Sequence, residues 1–235
     1  MPGGEILLVL VVIVGVIIAI VIGAQMEKKR RQALAALASE LGFSFDPSRD
    51  SSHDEQYAHF EVFRRGHSRV AMNTMWGEIE VDGRQCPVKM GDFRYKKTQS
   101  SGKSTRTVTY RFSYIIWHTP FDRVPDVLIR RESVMDKLAG AFGFDDIDFE
   151  SSEFSRKFCV KSSDKRFAYD LISPQMMEFL LASNPPTVDM EHGRICVVDG
   201  TRRWQPAEFR ARLAWLREFM DRWPDHLTHQ LEASA

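Results

Sequence analysis

Residues 6–24, ILLVLVVIVGVIIAIVIGA, constrain this chain more than any other stretch. Nineteen consecutive residues carry no charge and no polar side chain. At about 1.5 Å per residue they make a helix of about 28 Å, close to the thickness of a bilayer's hydrocarbon core. Such a run has no face to offer water, which argues against a core helix of a soluble domain. A cleaved signal peptide would begin with basic residues and carry a shorter apolar core. Here the chain begins Met1-Pro2-Gly3-Gly4-Glu5. The run therefore predicts a retained transmembrane helix, from which the rest of the protein hangs.

Lys28, Lys29, Arg30 and Arg31 follow directly. Positive charge beside a membrane helix marks its cytoplasmic flank. The expected topology is a single pass through the cell (inner) membrane, with the N-terminus outside and everything from Gln25 onward in the cytoplasm. The same four charges could touch anionic headgroups. Within the apolar run, Gly15, Ala19 and Gly23 recur every four residues and share one helix face. Small residues so arranged permit close helix–helix approach, although glycine is also simply tolerated in membrane helices.

The chain has 235 residues, enough after the anchor for one sizeable core. Its 32 basic residues balance 32 acidic ones, which argues against a dedicated nucleic-acid surface. The three cysteines, Cys86, Cys159 and Cys196, are far apart and odd in number. They fit reduced thiols better than a disulfide framework.

The expected organisation is an anchor at residues 1–26, a juxtamembrane helix and linker at 27–45, and a cytoplasmic α+β domain at 46–235. Leu34, Leu37 and Leu41 give the juxtamembrane helix one apolar stripe, and Gly42 suits its C-terminal stop. Residues 46–55 read as a polar loop. From residue 60 onward a two-residue period predicts strands: one reaching the Asp82-Gly83 turn, one over 88–98, and the longest over 105–118. Trp117, inside the last, is expected to be buried. Further strands are predicted near 127–130, 158–160, 187–190 and 194–198. Helices are predicted over 132–142, after Asp164, after Ser173-Pro174, and from Pro206. In the last helix Phe209, Leu213, Leu216, Met220 and Trp223 form one seam, read as docking on the domain's own sheet. The fold class expected is α+β, a mainly antiparallel sheet covered by helices on one side.

Phe154, Phe158, Val160, Asp164, Ala168, Pro174, Met177 and Leu180 carry a resemblance. The segment 154–182 resembles one in uncharacterised bacterial single-pass membrane proteins. In those proteins a Phe-x3-Phe-x-Val strand precedes an Asp-capped helix and a Ser/Thr-Pro helix. A looser similarity runs from about Arg31 to Pro224. The resemblance implies a membrane-tethered cytoplasmic domain and brings no catalytic residues with it.

Other motifs are weak. Ser101-Gly102-Lys103-Ser104 is like the end of a phosphate-binding loop, but Lys97 stands where the leading glycine belongs. His53, His59 and His67 are spaced by six and eight residues, which matches no zinc template. Asp145, Asp146, Asp148 and Glu150 lack the plan of a calcium loop. No residue is singled out as catalytic, metal-binding or cofactor-binding, and no cofactor is expected. The sequence thus points to a non-catalytic binding or scaffolding module at the inner face of the membrane, its partner a protein or anionic lipid. The alternatives are a membrane-associated enzyme of unidentified class and a purely structural membrane organiser.

Overall fold

A computed structural model describes residues 2–81, 83–102, 104–121, 123–132 and 145–233. The first helix, α1 (Pro2–Leu41), runs without a break through the apolar stretch and 17 residues beyond Ala24. The apolar side chains from Leu7 through Ile22 are exposed, which suits a helix clothed by lipid. Residues 27–41, read as the juxtamembrane helix, are thus the continuation of α1. Its Leu34, Leu37 and Ala38 are buried in the main core. The helix ends in a Schellman motif: Gly42 takes φ +70°, its N–H donates to Ser39, and the Phe43 N–H donates to Ala38.

Eight strands form one sheet with order β1-β2-β3-β4-β8-β7-β5-β6. They are β1 (Ser44–Asp50), β2 (His67–Val81), β3 (Arg84–Ser101), β4 (Ser104–His118), β5 (Val127–Arg131), β6 (Phe158–Ser162), β7 (Thr187–Glu191) and β8 (Arg194–Val198). Every neighbouring pair is antiparallel. The α+β class is as the residue pattern indicates.

The helices divide between two faces. On the α1 face, α5 (Lys165–Leu171), α6 (Pro174–Ala182), α7 (Pro206–Met220) and α8 (Asp225–Ala233) cover a large core that includes Trp117, Trp204 and Phe209. Their starts follow local chemistry. Asp164 accepts from the Phe167 N–H at 3.1 Å, and Ser173 from the Met176 N–H at 3.3 Å. Pro206 opens α7, with the Gln205 N–H donating to Glu208 at 2.7 Å. Trp117 is fully buried, and the α7 seam packs on the domain itself.

The opposite face is covered too, which differs from the one-sided arrangement expected. The short helices α2 (His53–Gln56) and α3 (Glu61–Arg64) lie over a second core of Tyr57, Phe60, Phe63, Phe93, Phe112 and Tyr114. Phe60, Val62 and Phe63 fill this core from a helical turn, so the two-residue period begins only at His67. Three other expectations are corrected. The polar stretch after Phe45 is an edge strand rather than a loop, bulged between Asp46 and Arg49 where the Asp46 side chain accepts from the Ser48 N–H. Phe154 lies in α4 (Ser152–Lys157), capped by Ser151, and the strand starts at Phe158. Helix α8 was not foreseen; Leu227 and Leu231 are its buried stripe. The helix expected over 132–142 lies almost wholly outside the described residues.

Candidate functional site

Arg30 is the point at which the long apolar helix α1 meets the sheet. Its guanidinium lies against Asp92 of β3 in fork geometry, Nε to Oδ2 at 2.7 Å and an Nη to Oδ1 at 2.6 Å. The other Nη donates to the Trp204 carbonyl at 2.9 Å. Asp92 is almost completely buried, and also accepts from Asn73 at 3.0 Å and Ser113 at 2.7 Å. The Trp204 N–H donates to Ser113 in turn. Two buried charges are tolerable only because each is paired and hydrogen-bonded.

The backbone prepares this junction. Asn73 and Thr74 stand opposite Gly91 alone, a bulge between the Met72–Asp92 and Met75–Met90 pairs. Asn73 takes φ +53°, and its carboxamide reaches Asp92. A Cβ on Gly91 would come within 3.1 Å of the Asn73 and Met72 carbonyls, a tight approach that favours glycine there. One turn toward the N-terminus, Glu27 accepts from Arg203 at 2.8 Å.

Of the four basic residues flanking the membrane, Lys28, Lys29 and Arg31 are exposed, while Arg30 is committed to Asp92. Its helical phase gives the signal: Arg30 lies on the Leu34, Leu37, Leu41 stripe. Asp92 occupies the inward register of Val88 and Met90, where a lone carboxylate demands a partner. Gly15, Ala19 and Gly23 are exposed along the apolar helix, and a Cβ at Gly15 or Gly23 would meet no atom within 4 Å.

A second feature is an open cleft of about 840 Å³ on the face away from α1, at the end of the sheet near Gly42. Trp76, 44 % exposed, and Tyr57 give it apolar walls. Lys89 donates to Gln56 at 3.0 Å, stands 3.8 Å from Asp50, and lies over the Tyr57 ring. Burial lowers the pKa of the Lys89 ammonium, opposed by Asp50. His118 lines the cleft as well. Burial, with Arg194 beside it, lowers its pKa and favours the neutral imidazole. Lys89 and Asp50 are thus paired within a cleft that also has aromatic walls, an arrangement suited to recognition.

The remaining candidate residues are dispersed. His53 is enclosed by Tyr57, Phe63 and Tyr114, His59 lies against His192, and His67 bonds Ser68 and Thr98. Ser101 and Gly102 belong to the β3–β4 hairpin end, and Lys103 lies outside the described residues. Glu132, Asp146 and Cys159 bring donor atoms within 4.8 Å of one another. There the Cys159 thiol donates to Asp146, and burial, then Asp146, pushes its pKa up to about 11. A thiol so held is protonated, and a metal there would have to displace that proton. All three cysteines are buried.

The class defined by these features is an α+β domain borne rigidly on a helix long and apolar enough to cross a membrane. No protein-family model and no curated relative matches the sequence. Among solved structures, the fold is similar to the crystal structure of the mycobacterial trehalose monomycolate transport factor A, TtfA. The TM-score is 0.55 at 15 % identity, over 81 % of this chain and 92 % of that one.

Proposed function

We propose that this protein is a non-catalytic adaptor of the inner membrane. In this reading its N-terminus lies outside, and its domain holds a partner-binding cleft at a set height in the cytoplasm. The observation that carries the proposal is the junction at Arg30. A flexible tether would suffice to keep an enzyme near a membrane, whereas this chain buries an ion pair and three helix side chains to fix the domain on its anchor. The exposed basic residues Lys28, Lys29 and Arg31 support the orientation. Likeness to a protein named a transport factor supports an accessory role over a catalytic one. The cleft, with exposed Trp76 at its wall, is the surface proposed for a protein partner.

The test is site-specific photo-cross-linking in native membranes, with the photoreactive residue at Glu78 in the cleft or at exposed Ala214 on α7. Discrete adducts from Glu78 and none from Ala214 are expected. Equal labelling from both sites, or none from Glu78, overturns the assignment of the cleft.

A further inference from the structure

The long hairpin of β3 and β4 projects from the sheet toward the membrane. Two contacts give its direction: Arg30 meets Asp92, the strand partner of Met72 in β2, while Phe43, just after α1, packs at Gly77. Helix α1 therefore runs alongside β2 in the same sense, and β3 beyond Asp92 returns toward the N-terminal, apolar part of the helix. From Asp92 to Ser101 the strand reaches about 30 Å at about 3.3 Å per residue. From Arg30 back to Ala24 the helix covers only about 9 Å. The hairpin is thus long enough for its basic residues to reach the level at which the apolar run of α1 ends.

Its chemistry suits that place. Arg94, Lys96, Lys97, Arg106 and Arg111 lie on the arm, and no aspartate or glutamate occurs from Phe93 to Phe121. Register puts Arg94, Lys96 and Arg111 on the α1 face, and Lys97 and Arg106 on the other. Arg94 and Arg111 are direct cross-strand partners, a like-charge pairing that costs stability. Burial, with Arg49 and Arg111 alongside, lowers the Arg94 pKa, and its Nε has no partner among the described residues. Residues 98–102 are Thr, Gln, Ser, Ser and Gly, with nothing apolar to enter hydrocarbon. Lys28, Lys29 and Arg31 are exposed close by on the helix.

We infer that the β3–β4 hairpin is a membrane-contact arm whose basic residues bind the headgroups of anionic phospholipids. This rests on the membrane-spanning reading of α1 and adds a second, electrostatic attachment. Each basic residue at an anionic surface strengthens docking by about fivefold, and salt screens the effect.

The test uses the full chain in nanodiscs. Ser100→Cys carries an environment-sensitive fluorophore, the native cysteines being buried. Discs contain phosphatidylcholine alone or with about 30 % phosphatidylglycerol, plus a headgroup-attached nitroxide quencher. Quenching is expected with phosphatidylglycerol and is expected to fall several-fold in phosphatidylcholine alone or in about 0.5 M NaCl. Replacing Lys96, Lys97, Arg106 and Arg111 by Gln should abolish the difference between lipids. Because the lipid comparison uses the same protein, misfolding of that variant would leave it valid. Equal quenching in both lipids overturns the inference. So does protection of the label by polyglutamate or an oligonucleotide but not by phosphatidylglycerol. Co-migration with the discs at high salt reads the anchor separately. Its loss refutes the membrane reading, whereas its retention without lipid dependence refutes the arm alone.

Discussion

Asp92 is a charge in a position built for an apolar side chain. Its side chain is only 2 % exposed, so it depends on Arg30, Asn73 and Ser113. Replacing Arg30 by Met strands a buried carboxylate and should cost about 3–5 kcal/mol. Adding Asp92→Asn should recover much of that loss, because the remaining group is neutral. Denaturant unfolding of the full chain in micelles measures both, and equal stability of parent and Arg30→Met would refute the coupling. Part of this junction was legible in the sequence: the phase of Arg30 and the parity of Asp92 both placed charge on an inward face. The pairing was not legible, because 62 residues separate the partners and the bulge at Asn73 that brings a third group in has no local signature. His53 makes a second residue-scale prediction. Burial, then the charge of Lys89, lowers its pKa to about 3, so the native state keeps a neutral imidazole. Below about pH 6.5 the unfolded chain binds a proton that the native state refuses. Stability is therefore lost as pH falls from about 6.5 toward 3, by up to about 1.4 kcal/mol per pH unit from this group. A His53→Phe variant should lose less over that window, and identical pH profiles would show that the ring is not held neutral.

At the scale of elements, the central strands were the clearest reading. β-branched and aromatic residues dominate β4, and Trp117 near its C-terminal end is fully buried beside Ile115 and Val88. Trp117→Ala in the full chain should cost about 3–5 kcal/mol by chemical denaturation. A loss under about 1 kcal/mol would mean that the core closes over the gap. Capped helices were equally legible, since Asp164, Ser173 and Pro206 start α5, α6 and α7. Elements whose cues conflict were not. Strand β1 contains Pro47 and two Asp residues, so its polarity reads as loop; it persists because an edge strand needs only one partner. Helix α3 places Phe60, Val62 and Phe63 at spacings that fit either period, and only the second core decides between them.

At the scale of the whole molecule, α1 is a strut. Residues 25–41 add about 26 Å of helix beyond the apolar run, and the far end of that length carries Gly42 at the rim of the cleft. Burial of Leu34, Leu37 and Ala38 with the Arg30–Asp92 pair prevents the domain from swivelling about the helix. In the membrane-anchored reading proposed above, the height of the cleft above the bilayer is therefore a property of the fold and not of a linker. A donor fluorophore at Glu78, with acceptors in the headgroup layer, should report a narrow distance distribution. Inserting Gly-Gly-Ser-Gly after Gln25 breaks the helix between membrane and lock, since glycine costs about 1 kcal/mol per residue there. That variant should show a broad distribution, while Leu34→Ala with Leu37→Ala should broaden it by loosening the domain from an intact helix. Equally narrow distributions in all three proteins would mean that something other than α1, such as the basic hairpin alone, sets the domain's position.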